Sequence, residues 1–172
     1  WMRATQGNTP TGAIGCQMST INQYWDEPME GMDEMNSILT ETYSSNIKRT
    51  FTGIAVNGMM GMNDAYGTTG MDMTDTWLTF GDPSIFVRTD IQTPLTATHV
   101  PTEMMGVTNL VVNSNTDGAR VALTLNGALI GTGLIASGTV NITFPAVNIV
   151  DTIYVTVTAY NKVPYFGIVE VL

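Results

Sequence analysis

Arg120-Val121-Ala122-Leu123-Thr124-Leu125-Asn126-Gly127-Ala128-Leu129-Ile130 decides the class of the C-terminal half. Two apolar-rich runs flank Asn126-Gly127, the dipeptide that best tolerates the two positive φ angles of a tight hairpin turn. Further along, Ile153-Tyr154-Val155-Thr156-Val157-Thr158-Ala159-Tyr160 alternates apolar with polar or aromatic residues, as a half-buried strand does. Ser137-Gly138 marks another turn. Working outward, the candidate strands are Leu95–His99, Val107–Asn113, Arg120–Leu125, Ala128–Ala136, Thr139–Phe144, Thr152–Tyr160 and Phe166–Leu172. Short strands with a turn about every 8–12 residues predict an all-β sandwich of immunoglobulin type. The disulfide and core Trp of antibody domains are absent.

The first half has different chemistry. All 12 methionines lie at or before Met105. Such a shift marks a domain boundary. Pro94 places the joint at Ile91-Gln92-Thr93-Pro94, because it pushes the preceding residue to extended geometry. The expected units are therefore residues 1–90 and 91–172. Ala13–Met18 is an apolar run after Pro10-Thr11-Gly12 and reads as a buried strand, taken as parallel. Ser19–Glu30 reads as a long loop. Gly31–Tyr43 carries Met32, Met35, Ile38, Leu39 and Thr42 at helical spacing, with Asp33 and Glu34 near its first turn. Phe51–Tyr66 is a second helix whose Gly53, Gly58 and Gly61 each cost about 1 kcal/mol of propensity. Close packing on a sheet explains them. Met71–Leu78 reads as a third helix and Ser84–Arg88 as a short strand. Strand, three helices and strand is an α/β pattern with too few strands for its own sheet.

Composition excludes several classes. The chain has 172 residues, of which 44% are apolar and 12% charged, so it folds rather than staying disordered. Six basic residues against 15 acidic ones give a net charge of −9. No basic stripe exists, so nucleic acid is not an expected partner. No apolar run approaches the roughly 18 residues of a membrane span. One cysteine cannot form an internal disulfide and leaves the compartment open. Trp1-Met2-Arg3-Ala4-Thr5 lacks the basic-then-apolar order of a signal peptide and reads as the last turn of a helix. The expectation is a fragment or processed chain.

Ser19-Thr20-Ile21-Asn22-Gln23-Tyr24-Trp25, Pro28-Met29 and Met32-Asp33-Glu34-Met35-Asn36 resemble the gingipain family of secreted cysteine endopeptidases. Asn46-Ile47-Lys48-Arg49-Thr50-Phe51, Asn57-Gly58-Met59 and Asp75-Thr76-Trp77-Leu78-Thr79-Phe80-Gly81-Asp82-Pro83-Ser84 continue in the family's order, followed by Val87-Arg88-Thr89. The resemblance implies the C-terminal part of a caspase-like α/β peptidase domain over residues 1–90, then an immunoglobulin-like sandwich. It implies a Cys nucleophile and His base, both upstream of these residues, so no catalytic residue is assigned here. The implied partners are that upstream part of the same protein and polypeptide substrates. The implied location is secreted or cell-surface, in a bacterium. By motif match Gln23, Tyr24, Trp25 and Met29 line the pocket for the basic residue before the scissile bond. A Trp face and a Met thioether would cover an aliphatic stem, while the Gln oxygen and backbone carbonyls accept from its head. Arg and Lys both stay open, because the main carboxylate partner would lie upstream.

Plainer readings stand beside these. Cys16, mid-strand, reads as a buried inert thiol rather than a nucleophile. A dyad with His99, the single histidine, would have to bridge two domains. Acid from Asp26 to Glu34 is a solvated helix start, a steering field for basic substrates or a calcium site. Asp64, Asp72, Asp75 and Asp82 are further oxygen donors for structural calcium, without the spacing of an EF-hand; no metal ligand is assigned. The Met stripe reads as core packing, and Trp25 as core or pocket wall. Asn141-Ile142-Thr143 fits a glycosylation sequon inside a strand. The function classes in play are an endopeptidase piece, a non-enzymatic surface or assembly protein retaining the peptidase scaffold, and a module binding through strand edges.

Overall fold

A computed structural model describes residues 2–45 and 47–172. The chain divides into two compact units, Trp1–Thr89 and Asp90–Leu172. Trp1 and Asn46, which open two of the stretches read above, lie outside the described residues.

The first unit opens with a small hairpin, β1 (Thr5–Gln6) against β2 (Thr9–Pro10), turning through Gly7 at φ +61°. Met2-Arg3 is a turn, so the helix end expected over Trp1–Thr5 is not formed by its described residues. β3 (Gly15–Ser19) follows, then the helices α1 (Asp26–Leu39), α2 (Phe51–Tyr66) and α3 (Thr68–Thr74), then β4 (Trp77–Gly81). β3 and β4 pair antiparallel from Gly15↔Gly81 to Ser19↔Trp77. The expected parallel, buried strand is thus an antiparallel one, half-buried or exposed along its length.

Several boundaries moved for identifiable reasons. α1 begins at Asp26, inside the expected loop, because Pro28 sits in the first turn, where a missing N–H costs nothing. Asp26 and Glu27, not Asp33 and Glu34, face the positive end of its dipole. α2 has the predicted ends, and its N-cap Thr50 accepts from the Gly53 amide. The third helix stops at Thr74, and Trp77-Leu78-Thr79-Phe80, with its aromatic and β-branched residues, forms strand. The strand expected over Ser84–Arg88 is not formed as such: Ser84 is a turn residue and Phe86 makes a bridge to Thr50, flanked by the bonds Phe51 N–H to Ile85 carbonyl and Val87 N–H to Arg49 carbonyl.

Gly58 and Gly61 of α2 serve helix packing rather than sheet packing, while a Cβ on Gly53 would meet Thr50 Oγ1 at the helix's own N-cap. A Cβ on Gly58 would collide with the Met35 side chain and lie 2.8 Å from the Gly31 carbonyl oxygen, both on α1. A Cβ on Gly61 would lie 2.6 Å from Glu34 Cγ. The methionine stripe is only partly core: Met62 and Met73 are buried, while Met18, Met32, Met60 and Met71 are exposed.

Alternation puts Gln17, Thr79 and Trp77 on the helix-covered face of β3–β4. There Gln17 Nε2 lies 3.5 Å from Met59 Sδ, and Thr79 donates to Gln17 Oε1. Cys16, Met18, Leu78 and Phe80 share the opposite face. Met18, Leu78 and Phe80 are each 46–49% exposed, and Cys16 is half-buried rather than buried.

The second unit is the expected sandwich. Short strands β5 (Thr93–Pro94), β6 (Ala97–Thr98) and β7 (Thr102–Glu103) precede β8 (Val107–Ser114), β9 (Arg120–Leu125), β10 (Ala128–Leu134), β11 (Thr139–Val147), β12 (Asp151–Thr158), β13 (Lys162–Val163) and β14 (Tyr165–Val171). One sheet runs β10-β9-β12-β14-β7 and the other β11-β8-β6, while β13 and β5 form a separate parallel pair. Alternate residues fill the core between the sheets: Leu110, Val112 and Ile142 from one, Val121, Leu123, Ile153, Val155, Val157 and Val169 from the other. The hairpin turn has φ +51° at Asn126 and +76° at Gly127, and the second turn +52° at Ser137 and +81° at Gly138. Both central residues are left-handed, as the twist of the flanking strands requires.

Gly58 supplies a test of the packing. Gly58→Ala gains about 1 kcal/mol of helix propensity, yet its methyl must displace Met35 or the α1 backbone, an overpacking cost of about 1–3 kcal/mol. The expected result is a lower unfolding midpoint in helix-monitored denaturation; a higher midpoint would show the crossing to be loose.

Candidate functional site

Residues 20–25 connect β3 to α1, and their position is held from the other end of the unit. The Thr20 amide and hydroxyl both donate to the Thr76 carbonyl, at 2.9 and 3.0 Å. Gln23 Oε1 accepts from the Trp77 indole N–H at 2.7 Å, and Gln23 Nε2 donates to Thr76 Oγ1 at 2.6 Å. The Thr76 hydroxyl in turn donates to the Met73 carbonyl at 2.7 Å. The Tyr24 amide points at Met73 Sδ, 3.5 Å away. Every polar group of the Gln23 side chain is therefore engaged inside the protein.

The three neighbours of Gln23 in the predicted site have the opposite character. Tyr24 is 63% exposed, Trp25 80% and Met29 41%. Trp25 stands at the N-cap of α1, and its carbonyl accepts from the Met29 amide one turn on. Trp25 is not a core residue. A fully presented indole at the end of an anchored loop is an apolar plate, suited to covering an alkyl stem or stacking on a cation. A shallow cavity of about 280 Å³, lined by Gln17, Met18, Ser19, Gln23, Pro28, Met32, Met35 and Trp77, lies at the base of this loop.

The surroundings carry negative charge. Burial, and then the carboxylates of Asp26, Glu30 and Glu27, hold the Tyr66 phenol above its ordinary pKa of 10.0. The Tyr43 hydroxyl donates to Glu34 Oε2 at 2.6 Å, and that bond holds its proton more tightly than usual. Arg49 donates to Glu41 at 2.7 Å and lowers that carboxyl. Among the described residues no three carboxylate, imidazole or thiol groups converge as a metal site would need. Asp64, Asp72, Asp75 and Asp82 do not assemble into one.

Cys16 and His99 sit in separate units. Both His99 nitrogens have neighbours in their own unit: Nδ1 is 2.8 Å from the Val100 carbonyl and Nε2 is 3.2 Å from the Tyr165 hydroxyl. Sequence reasoning missed Thr76 and Trp77, because it placed them inside a helix. The usable signal was the indole itself, since a Trp N–H that is partly buried requires an acceptor.

Residues 98–172 match the family described as peptidase family C25, C-terminal ig-like domain. Gingipain R1 of Porphyromonas gingivalis is 42% identical over 163 residues, 94% of this chain and 16% of that protein. Gingipain R2 of the same species is 40% identical over 172 residues, 99% of this chain and 23% of that protein. The chain thus spans less than a quarter of the length of these curated relatives. The crystal structure of the Arg-specific cysteine proteinase gingipain R matches with a TM-score of 0.92 and 38% identity, over 99% of this chain and 40% of that one. No helix among the described residues is long and apolar enough to cross a membrane. The chain is accordingly similar to the gingipains along nearly its whole length, and its residues 98–172 match the C-terminal immunoglobulin-like domain of peptidase family C25.

Proposed function

We propose that this chain is part of a secreted bacterial cysteine endopeptidase that cuts after Arg or Lys. In this reading residues 1–90 are the C-terminal part of a caspase-like peptidase domain and residues 91–172 an accessory domain. The nucleophile and base come from polypeptide outside these residues. The observation that carries the reading is the 0.92 TM-score, at 38% identity, to an Arg-specific cysteine proteinase.

The chemistry of the loop supports it. Tyr24, Trp25 and Met29 form an exposed apolar wall beside Asp26, Glu27 and Glu30. An apolar wall under a negative field suits a side chain with a long alkyl stem and a cationic end. Gln23 has two roles in this reading. Its oxygen is held by Trp77, so it acts first as the anchor of the loop, with one lone pair left to accept from a substrate cation.

The bare face of β3–β4 fits the same reading. Met18, Leu78 and Phe80 form a contiguous apolar surface on a two-stranded sheet covered by helices on its other side. Two strands alone are marginal in water. In the proposed whole protein this face lies against upstream polypeptide of the same molecule, the remaining partner being the substrate.

Trp25→Ala in the complete protein is expected to lower kcat/KM for peptide substrates with Arg or Lys before the scissile bond about 10- to 100-fold, the effect of losing about 1–3 kcal/mol of side-chain contact. An unchanged value would remove Trp25 from the pocket. The field itself is measurable without substrate. Asp26→Asn, Glu27→Gln and Glu30→Gln together should lower the Tyr66 pKa, read by tyrosine-ring NMR titration, because a phenolate no longer forms beside three anions. A Tyr66 titration that stays where it was would mean that the carboxylates act too far away to steer a cation.

A further inference from the structure

We propose that Trp77 is a positioning residue for substrate specificity, acting on the pocket wall from behind; the inference rests on the wall reading of Trp25 and Met29. The indole touches both segments that carry the wall. Its Nε1 donates to Gln23 Oε1 at 2.7 Å, which fixes the loop two residues before Trp25. Its ring lies over Gly31 of α1, two residues after Met29: a Cβ on Gly31 would lie 3.4 Å from Trp77 Cη2. Trp25 and Met29 therefore stand between two points held by one side chain of β4.

Thr76 completes the clamp. Its hydroxyl accepts from Gln23 Nε2 and donates to the Met73 carbonyl, while its own carbonyl takes both donors of Thr20. With both ends of the Gln23 amide engaged, the amide plane has one orientation. An exposed Trp at a helix N-cap has no side-chain hydrogen bond at that cap to hold it. Its place is set by the backbone beneath it, and that backbone is tied through Gln23. Loosening the tie would let the plate shift by the fraction of an ångström that matters to a bound cation, without removing any group that touches the substrate.

A positioning role of this kind acts on binding more than on chemistry, so it separates KM from kcat. Trp77→Phe deletes the N–H and also draws the ring edge back from Gly31, so it loosens both holds, while Thr76→Val loosens the Gln23 tie alone. In the complete protein Trp77→Phe should raise KM for a peptide substrate with Arg before the scissile bond by at least about 3- to 10-fold, the worth of one hydrogen bond, with kcat within about twofold of the parent. Thr76→Val should do the same, and Thr76→Ser, which keeps the hydroxyl, should restore the parent KM. The double variant Trp77→Phe with Thr76→Val should lose little beyond Trp77→Phe alone, because the tie that Thr76 makes runs through the same Gln23 amide. An unchanged KM in Trp77→Phe, or single effects that multiply in the double variant, would overturn the inference. If Trp77→Phe does not fold, Thr76→Val against Thr76→Ser decides alone, equal KM values counting against it. If Trp25→Ala leaves KM and kcat/KM intact, the wall reading itself has failed; if Trp25→Ala loses activity while Trp77→Phe changes nothing, only the positioning role has.

Discussion

The antiparallel pairing of Gly15–Ser19 with Trp77–Gly81 is the constraint on which the first unit depends. It closes a segment of three helices between two strands and lays Trp77 opposite Ser19, at the root of the loop that ends in Trp25. The strand register, not any local preference of residues 20–25, puts an indole donor within reach of Gln23. The same pairing sorts side chains by face. One face has Gln17 and Trp77 in contact with helices, and the other is left with Met18, Leu78 and Phe80 in the open. Anchoring of the loop and exposure of the apolar face are two consequences of one register.

The helices pack on small residues. Gly31 and Gly58 let α1 and α2 approach until a methyl at Gly58 would meet backbone oxygen. Gly70 does the same for α3 against α2, where a Cβ would lie 2.6 Å from the Met62 carbonyl oxygen. These contacts explain a glycine content that helix propensity alone would count against. The second unit rests on a different device: alternating β-branched and apolar residues bury one face of each sheet, and left-handed turn residues set the register.

Legibility followed the strength of the local signal. Arg120–Leu125, Asn126-Gly127 and Phe51–Tyr66 were readable to the residue, because turn chemistry and a sustained period each have one structural answer. Met71–Leu78 was misread because four residues of helix period run directly into a strand, and period cannot mark a boundary that short. Pro28 reads as a loop residue in sequence, yet the first turn of a helix accepts it. At the candidate site the exposed residues were named from their resemblance to a family motif. Thr76 and Trp77 were invisible, since they reach Gln23 across 53 and 54 positions of chain. Long-range contacts of that kind carry no signature in a single sequence.

In the proposed whole protein the apolar face of β3–β4 is covered by the rest of the molecule. Methionine oxidation at Met18 by dilute peroxide, followed by peptide mass spectrometry, addresses it most directly. Met18 lies in the middle of that face and is 49% exposed in this chain. The account predicts that Met18 oxidises readily in residues 1–172 alone and at least tenfold more slowly in the complete protein, since thioether oxidation follows exposure. Equal rates in the two forms would contradict it.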